Sequence, residues 1–270
     1  MRILHCSDPH VQLPRWRERK LRELGPLRAL ATVELWKGRG RDYDDAAEKL
    51  RAIVRDADTL KADHVVLTGD LTQLAMEEEF ALAAQALKPL GDRLTCIPGN
   101  HDRYPLGRTA NKLYEVYFSA WTPTAPKALG DVALIPADST GPISWPVLSH
   151  GRVEGEDLRA LAATLRSVNA PCKLLLIHHA PSRRGMKRDW PLHHLRGAQS
   201  LLRVCAEAEV QAILCGHVHE RFDDAALPGR ARVVCAGSST ERRKEGYWLL
   251  DVQQGRVQDV SRRKLGGDPA

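Results

Sequence analysis

Apolar residues fall along this chain in short runs, and five of the runs end on residues able to bind a metal or move a proton. Arg2-Ile3-Leu4 leads into Asp8-Pro9-His10, Val65-Val66-Leu67 into Gly69-Asp70, and Leu94-Thr95-Cys96-Ile97-Pro98 into Gly99-Asn100-His101-Asp102. Leu174-Leu175-Leu176-Ile177 runs straight into His178-His179, and Ala212-Ile213-Leu214 into Gly216-His217-Val218-His219. Runs this short and unbroken suit strands buried on both faces. Between them the apolar spacing changes to that of helices. Tyr43, Ala46, Ala47, Leu50, Ile53, Val54, Ala57 and Leu60 predict a helix from Asp42 to Lys61, and further helices are predicted over 77–88, 108–119, 154–168 and 197–207. The tail, 232–260, alternates as antiparallel strands do. A βαβ-type half up to residue 102, followed by a mixed half over 130–260, predicts a mixed α/β fold: two packed β-sheets flanked by helices. Ligands of open α/β sheets collect outside the carboxyl ends of the strands. Five donor-bearing strand ends therefore predict one composite metal site at the edge the two sheets share.

Composition narrows the class. At 270 residues and 30.0 kDa one large domain can carry a full core, and a single domain over 1–270 is expected because two would split donors that run from position 8 to 219. The apolar share of 43% and charged share of 27% are those of a soluble globular protein. No run approaches the length of a membrane span. The first strand begins so near the N-terminus that a cleavable signal has no room. The six cysteines are scattered without a Cys-x-x-Cys pair, which predicts buried free thiols in a reducing, cytoplasmic compartment. The net charge of +6 is local: residues 14–41 hold nine Lys and Arg against three Glu, which accounts for all of it. That segment carries an apolar stripe (Leu13, Trp16, Leu24, Leu27, Ala31, Leu35) broken by Gly25-Pro26, and reads as a basic helical insertion over 13–41. It is either packed on a sheet edge with a solvated basic face, or a lid that attracts phosphate-rich substrate or an anionic membrane surface.

Asp8, His10, Asp70, Asn100, His178, His217 and His219 offer oxygen and imidazole donors and no thiolate. Such a set suits Mn, Fe, Zn or Co and argues against a structural zinc site. Seven donors exceed what one ion takes and match two that share a carboxylate. Two ions roughly 4 Å apart can clamp the attacking and leaving oxygens of an in-line displacement and turn a bridging water into the hydroxide nucleophile. No Ser or Cys elbow offers an alternative nucleophile.

Asp-x-His, Gly-Asp, Gly-Asn-His-Asp, a strand-end His and Gly-His-x-His, in that order, resemble the calcineurin-like metallophosphoesterase superfamily. The resemblance runs from strand 1 through Gly216-His217-Val218-His219. It implies a four-layer, two-sheet sandwich and two divalent ions. It implies that Asp8, His10, Asp70 and His219 hold one ion, and that Asp70, Asn100, His178 and His217 hold the other, with Asp70 bridging. His101 then neutralises the developing charge or protonates the leaving oxygen, and Asp102 accepts its other ring proton. His178 and His179 cannot both face one side of a regular strand; the family places its ligand first, which favours His178. Two departures stand out: Ala180 sits where the family usually has Pro, with Pro181 one later, and Pro9 stiffens the first loop without removing a donor. His217 and His219 alternate on an extended segment and are expected to face one side.

Elsewhere, His5 and His64 read as structural and Asp138 as a turn cap. Arg183, Arg184, Lys187, Arg188, His193 and His194 read as a solvated charged loop, with substrate contact as the rival. The leading functional reading is a small-molecule phosphodiesterase, acting on a cyclic nucleotide, a glycerophosphodiester or a small phosphomonoester. A second keeps the chemistry but docks Trp16 and Trp36 on anionic lipid, making the substrate a nucleotide-linked lipid pyrophosphate. A third is a nucleic-acid binding module with a vestigial metal site, which an aromatic share of 5% disfavours.

Overall fold

The computed structural model describes residues 1–13, Arg28, Thr32, and residues 39–105, 110–141, 149–225, 227–228 and 230–269. Most of the basic segment, with its predicted helices and its proposed membrane or substrate role, lies outside the described residues.

The strands and α-helices, in chain order, are β1 (Arg2–Cys6), α1 (Ala46–Thr59), β2 (His64–Leu67), α2 (Glu77–Leu87), β3 (Leu94–Cys96), α3 (Leu113–Phe118), β4 (Lys127–Leu129), β5 (Val132–Ala137), β6 (Gly151–Arg152), α4 (Gly155–Ser167), β7 (Cys172–His179), β8 (Leu195–Arg196), α5 (Ala198–Glu207), β9 (Ala212–Gly216), β10 (Phe222–Asp224), β11 (Val233–Cys235), β12 (Tyr247–Gln253) and β13 (Arg256–Arg263). They form two mixed sheets, ordered β13-β12-β1-β2-β3 and β10-β11-β9-β7-β5-β4, with a small β6-β8 ribbon. β1, β2 and β3 run parallel, as do β5, β7, β9 and β11.

Alternation along each strand builds three apolar layers. Leu4, Val65 and Leu67 face out onto Leu50, Ile53, Phe80 and Phe118 of helices α1 to α3. Leu175, Ile177 and Ile213 face out onto Leu161, Leu165, Leu201 and Leu202 of α4 and α5. Between the sheets, Ile3, Val66 and Leu250 meet Leu134, Leu174, Leu176 and Leu214. Each such side chain is worth about 2 kcal/mol of burial, and both faces of each central strand are covered. That is why the runs are unbroken in sequence. The result is four layers: helices, sheet, sheet, helices.

His5 and His64 are structural. Their Nε2 atoms meet the hydroxyls of Thr68 and Thr95 at 3.0 and 2.8 Å, and burial pushes the imidazoles down to about 3 and about 4, leaving both neutral. All six cysteines are buried and free, as the spacing predicted.

Two expectations change. The tail, expected as antiparallel strands, divides: β12 pairs antiparallel with β13 and crosses back to β1 of the first half, while β11 runs parallel to β9. Strand alternation identifies an extended segment but not its partner. The helix predicted from Asp42 starts at Ala46, after a 3-10 turn over Arg39–Tyr43.

The loop after β2 is held by a buried acid. Glu79, in the first turn of α2, accepts the backbone N–H groups of Leu74 at 2.8 Å and Met76 at 3.1 Å. Burial pushes its carboxyl up to about 8 against those bonds and the charge of Arg28. Between its ordinary value of 4.5 and about 8 the folded chain thus holds a proton that the unfolded chain releases, so stability falls as pH rises through that window. Denaturant unfolding at pH 5 and pH 8 should show this loss in the wild type, and Glu79→Gln should abolish the difference. An unchanged pH slope in the variant would assign the dependence to another group.

Candidate metal centre

Five strand ends meet at one edge of the sandwich. Asp8 and His10 follow β1, Asp70 follows β2, Asn100 and His101 follow β3, His178 is the penultimate residue of β7, and His217 and His219 follow β9. All seven predicted donors are brought to this edge; six are buried and His219 is half-buried. Bonds between the sheets fix the edge. His178 Nδ1 meets the Thr68 carbonyl at 2.8 Å, and the His217 N–H donates to the Asp8 carboxylate at 2.9 Å.

The backbone here is strained. Asp8, His10, Asp70, His217 and His219 have φ of 50°, 44°, 52°, 71° and 51°. Asp and His tolerate this left-handed region better than most L-residues, and such strain persists where surrounding structure over-determines it. It also corrects the expectation for His217 and His219. Neither sits on an extended segment, and they part company: His219 groups with Asp8 and His10, and His217 with His178 and His179. Two further groups, Asp8 with Asp70 and His178, and His10 with Asp70 and His101, link the first two. Within each group the ligand-type atoms lie within 4.8 Å of one another.

Asp70 sits between the groups. Its Oδ2 is 3.4 Å from His178 Nε2 and 3.7 Å from His10 Nε2, and its Oδ1 accepts the His101 backbone N–H at 2.7 Å. Burial opposes its charge, yet the imidazoles of His178, His101 and His10 hold its carboxyl well below the usual carboxylate range. Gly99 makes room for it: a Cβ at that position would land on the Asp70 carboxylate and backbone nitrogen.

Carbonyls and carboxylates only accept, so their partners reveal where each imidazole keeps its proton. His178 donates from Nδ1 to Thr68 and faces two further acceptors at Nε2, Asn100 Oδ1 at 3.0 Å and the Asp70 carboxylate. Burial opposes its charge, but Asp70 pushes the imidazole up to about 10, so Nε2 carries the proton that a metal ion would replace. His219 donates from Nδ1 to Glu241 Oε2 at 3.0 Å, with the Tyr43 hydroxyl also 3.0 Å from that nitrogen. Its Nε2 then faces Asp8 Oδ1 at 3.5 Å. His217 donates from Nε2 to the His193 carbonyl at 3.0 Å, leaving Nδ1 with the lone pair. Burial opposes the charge of Glu241, but bonds from His219 and Lys244 hold it at about 2. Imidazoles anchored at one nitrogen by a carbonyl or carboxylate, with the other turned to further donors (beside Asp70 for His178 and Asp8 for His219), have the arrangement of metal-bound histidines. The donor set fits a divalent cation.

The neighbouring pair resolves by hydrogen bonding. A register shift between Leu176 and His179 puts a bulge in β7, so the two rings lie 4.9 Å apart instead of on opposite faces. Ser139 Oγ meets His179 Nδ1 at 2.8 Å, and His179 Nε2 donates to the Ser149 carbonyl at 3.0 Å. His179 thus faces Ser139 and Ser149, whereas His178 Nε2 faces Asp70 and Asn100, two of the other predicted donors.

Asp102 differs from expectation. The acceptor for His101 Nδ1 is the Gln73 carbonyl at 2.8 Å, while the Tyr104 hydroxyl is 3.2 Å from Nε2. The Asp102 carboxylate instead accepts from the backbone N–H groups of Gly99, Leu71 and Thr72 and from the Thr72 hydroxyl, at 2.9 to 3.2 Å. It ties the loop after β2 to the loop after β3. Asp138 caps its turn, accepting from Thr140. Spacing could not reveal Glu241 or Tyr43: one lies far along the chain in a polar stretch, the other within an apolar helical stripe. The loop over 182–196 is not wholly solvated either. His193 stacks on His217 at 3.9 Å and is held by Asp189 at 2.6 Å.

A sequence model described as calcineurin-like phosphoesterase matches residues 1–221. The chain is 29% identical over 187 residues to a probable cyclic nucleotide phosphodiesterase of Coxiella burnetii, covering 68% of this chain and 69% of that protein. It is 29% identical over 160 residues to a probable glycerophosphodiester phosphodiesterase of Arcobacter nitrofigilis, covering 59% of this chain but only 57% of the relative. In fold it resembles a dimetal phosphatase from Danio rerio, with a TM-score of 0.64 at 12% identity over 97% of this chain and 95% of the other. No described helix is long and apolar enough to cross a membrane. The motif order, the four-layer sandwich and the family match together establish that the chain belongs to the calcineurin-like phosphoesterase family, hydrolases of phosphoric esters.

Proposed function

We propose that this chain is a dinuclear-metal phosphodiesterase acting on small phosphodiesters. The observation that carries the reading is the position of Asp70 between the Asp8, His10, His219 group and the His178 group, within 3.7 Å of an imidazole of each. In this reading Asp8, His10, Asp70 and His219 hold one divalent ion, and Asp70, Asn100, His178 and His217 the other. When bound, the pair supplies charge neutralisation at the phosphoryl oxygens and lowers the pKa of water. The chain does the rest. Thr68, Glu241 and the His193 carbonyl each anchor one nitrogen of His178, His219 and His217, so the rings are oriented before an ion binds. His101, with its Nδ1–H anchored to the Gln73 carbonyl, acts in this reading as the imidazolium and gives the second proton, at Nε2, to the leaving oxygen. The relatives named for cyclic nucleotides and glycerophosphodiesters support a diester over a monoester.

Metal-stripped protein should leave bis(4-nitrophenyl) phosphate intact and recover turnover when Mn, Fe, Zn or Co is restored. Glu241→Gln, which keeps the shape but removes the acceptor charge behind His219, should raise the metal concentration for half-recovery by about 10–100-fold. Full activity without metal, or an unshifted metal requirement in the variant, would count against this assignment.

A further inference from the structure

One wall of the centre carries more positive charge than a singly charged diester can use. A cavity of about 330 Å³ is lined by His219 together with Arg183, Arg184, Arg221, Lys244 and Arg262. Glu220 is the one carboxylate among the lining residues, and Arg184 Nε takes it at 3.0 Å. Lys244 meets Glu241 at 2.5 Å, and Arg183 reaches Asp189 at 3.4 Å. Arg262, exposed on β13, has no ion pair among the described residues.

Arg221 is the unusual member. It is 8% exposed, and its guanidinium donates only to neutral carbonyls: Lys244 at 2.9 Å, Ser238 at 3.0 Å and Gly246 at 2.7 Å. Its Nε has no partner among the described residues. The nearby carboxylate of Glu245 is bonded to Lys49 at 2.8 Å. A cation buried without a bonded anion is costly, and an anionic ligand offsets that cost. The three carbonyls hold the group rigidly, so little ordering is needed when an anion arrives.

We propose that this cavity is an anion subsite of the centre, which takes a second phosphate carried on the substrate away from the scissile bond. The proposal rests on the hydrolase reading above and narrows its substrate class to phosphoesters bearing a second phosphate. Guanidinium and ammonium groups converging on one cavity suit a phosphate, through charge-assisted hydrogen bonds. His219 belongs both to the Asp8 group and to the cavity wall, so one substrate spans the two. A cyclic nucleotide, whose single charge lies at the scissile diester, leaves the cavity unused.

Two diesters with the same leaving group test this in the metal-loaded enzyme: 4-nitrophenyl 2-methoxyethyl phosphate, whose capped oxygen cannot attack its own phosphorus, and the analogue that carries a phosphate in place of the methyl. The phosphate-bearing diester should have a KM at least tenfold lower. Arg184→Ala and Arg262→Glu should each raise that KM several-fold and leave kcat and KM for the methoxy diester unchanged, with Arg262→Lys restoring most of the preference. Equal KM values in the wild type, or variants that raise both KM values alike, overturn the subsite. If neither diester is hydrolysed the hydrolase reading fails, and calorimetric titration of the same two compounds into wild type and Arg262→Glu decides the subsite by itself. A phosphate preference lost in the variant supports it; equal affinities, or a preference the variant retains, overturn it.

Discussion

Asp70→Ala is expected to lower metal-dependent hydrolysis of bis(4-nitrophenyl) phosphate by on the order of 10³-fold or more. The change removes three things at once. It deletes the carboxylate within 3.7 Å of imidazoles from both groups. It deletes the negative charge that balances cations there. It also frees the His101 backbone N–H, which Asp70 Oδ1 accepts at 2.7 Å. Asp70→Asn separates these contributions, because the amide oxygen can still accept from His101 while the charge is gone. If charge and metal sharing dominate, Asn should be nearly as damaging as Ala, and bound metal, measured by plasma emission, should fall in both. Turnover within a few-fold of wild type in folded Asp70→Ala protein would sink the dinuclear assignment.

Asp102→Ala is expected to act on stability first. Four donors converge on this buried carboxylate, three of them backbone N–H groups in the loops that carry Asp70 and Asn100. Leaving buried donors unpaired costs about 1–3 kcal/mol each. Even with partial relaxation the variant should lose about 3–5 kcal/mol, read as a drop in the urea midpoint, with activity falling as the loops loosen. Asp102→Asn should also destabilise, since its NH₂ would face N–H donors. Had Asp102 oriented the His101 ring, both substitutions would give a kinetic defect at near-normal stability. That pattern would return Asp102 to the ring and remove Gln73 as the orienting group.

The two loops show why some of this was legible in the chain and some was not. Asp70 and Asn100 each follow an unbroken apolar run, and such a run is a strand because only a strand covered on both faces needs that pattern. Strand ends in a packed α/β sandwich point to one edge, so the convergence of Asp8, Asp70, Asn100, His178, His217 and His219 could be anticipated without coordinates. The partner of a buried carboxylate could not. Asp102 is next to His101 in sequence, yet its oxygens meet the backbone of residues about thirty positions earlier. Proximity along the chain is no guide to hydrogen bonding once two loops pack together.

The same limit separates the rest. By itself the sequence determined the central strands of both sheets, most of the helices, the oxygen and imidazole character of the donor set, and the edge at which it gathers, because hydrophobic periodicity and residue chemistry are local properties; the short strands β4, β6, β8 and β10 carry no such pattern. Only the tertiary structure decided that β12 returns to the first sheet and that a bulge in β7 turns both His178 and His179 inward. It also decided that left-handed turns send His217 and His219 to different groups, and that Glu241 and Tyr43 stand behind His219. Those outcomes depend on contacts between residues far apart in the chain, Arg2 with Asp251 among them, where packing and hydrogen-bond satisfaction, not local pattern, select the partner.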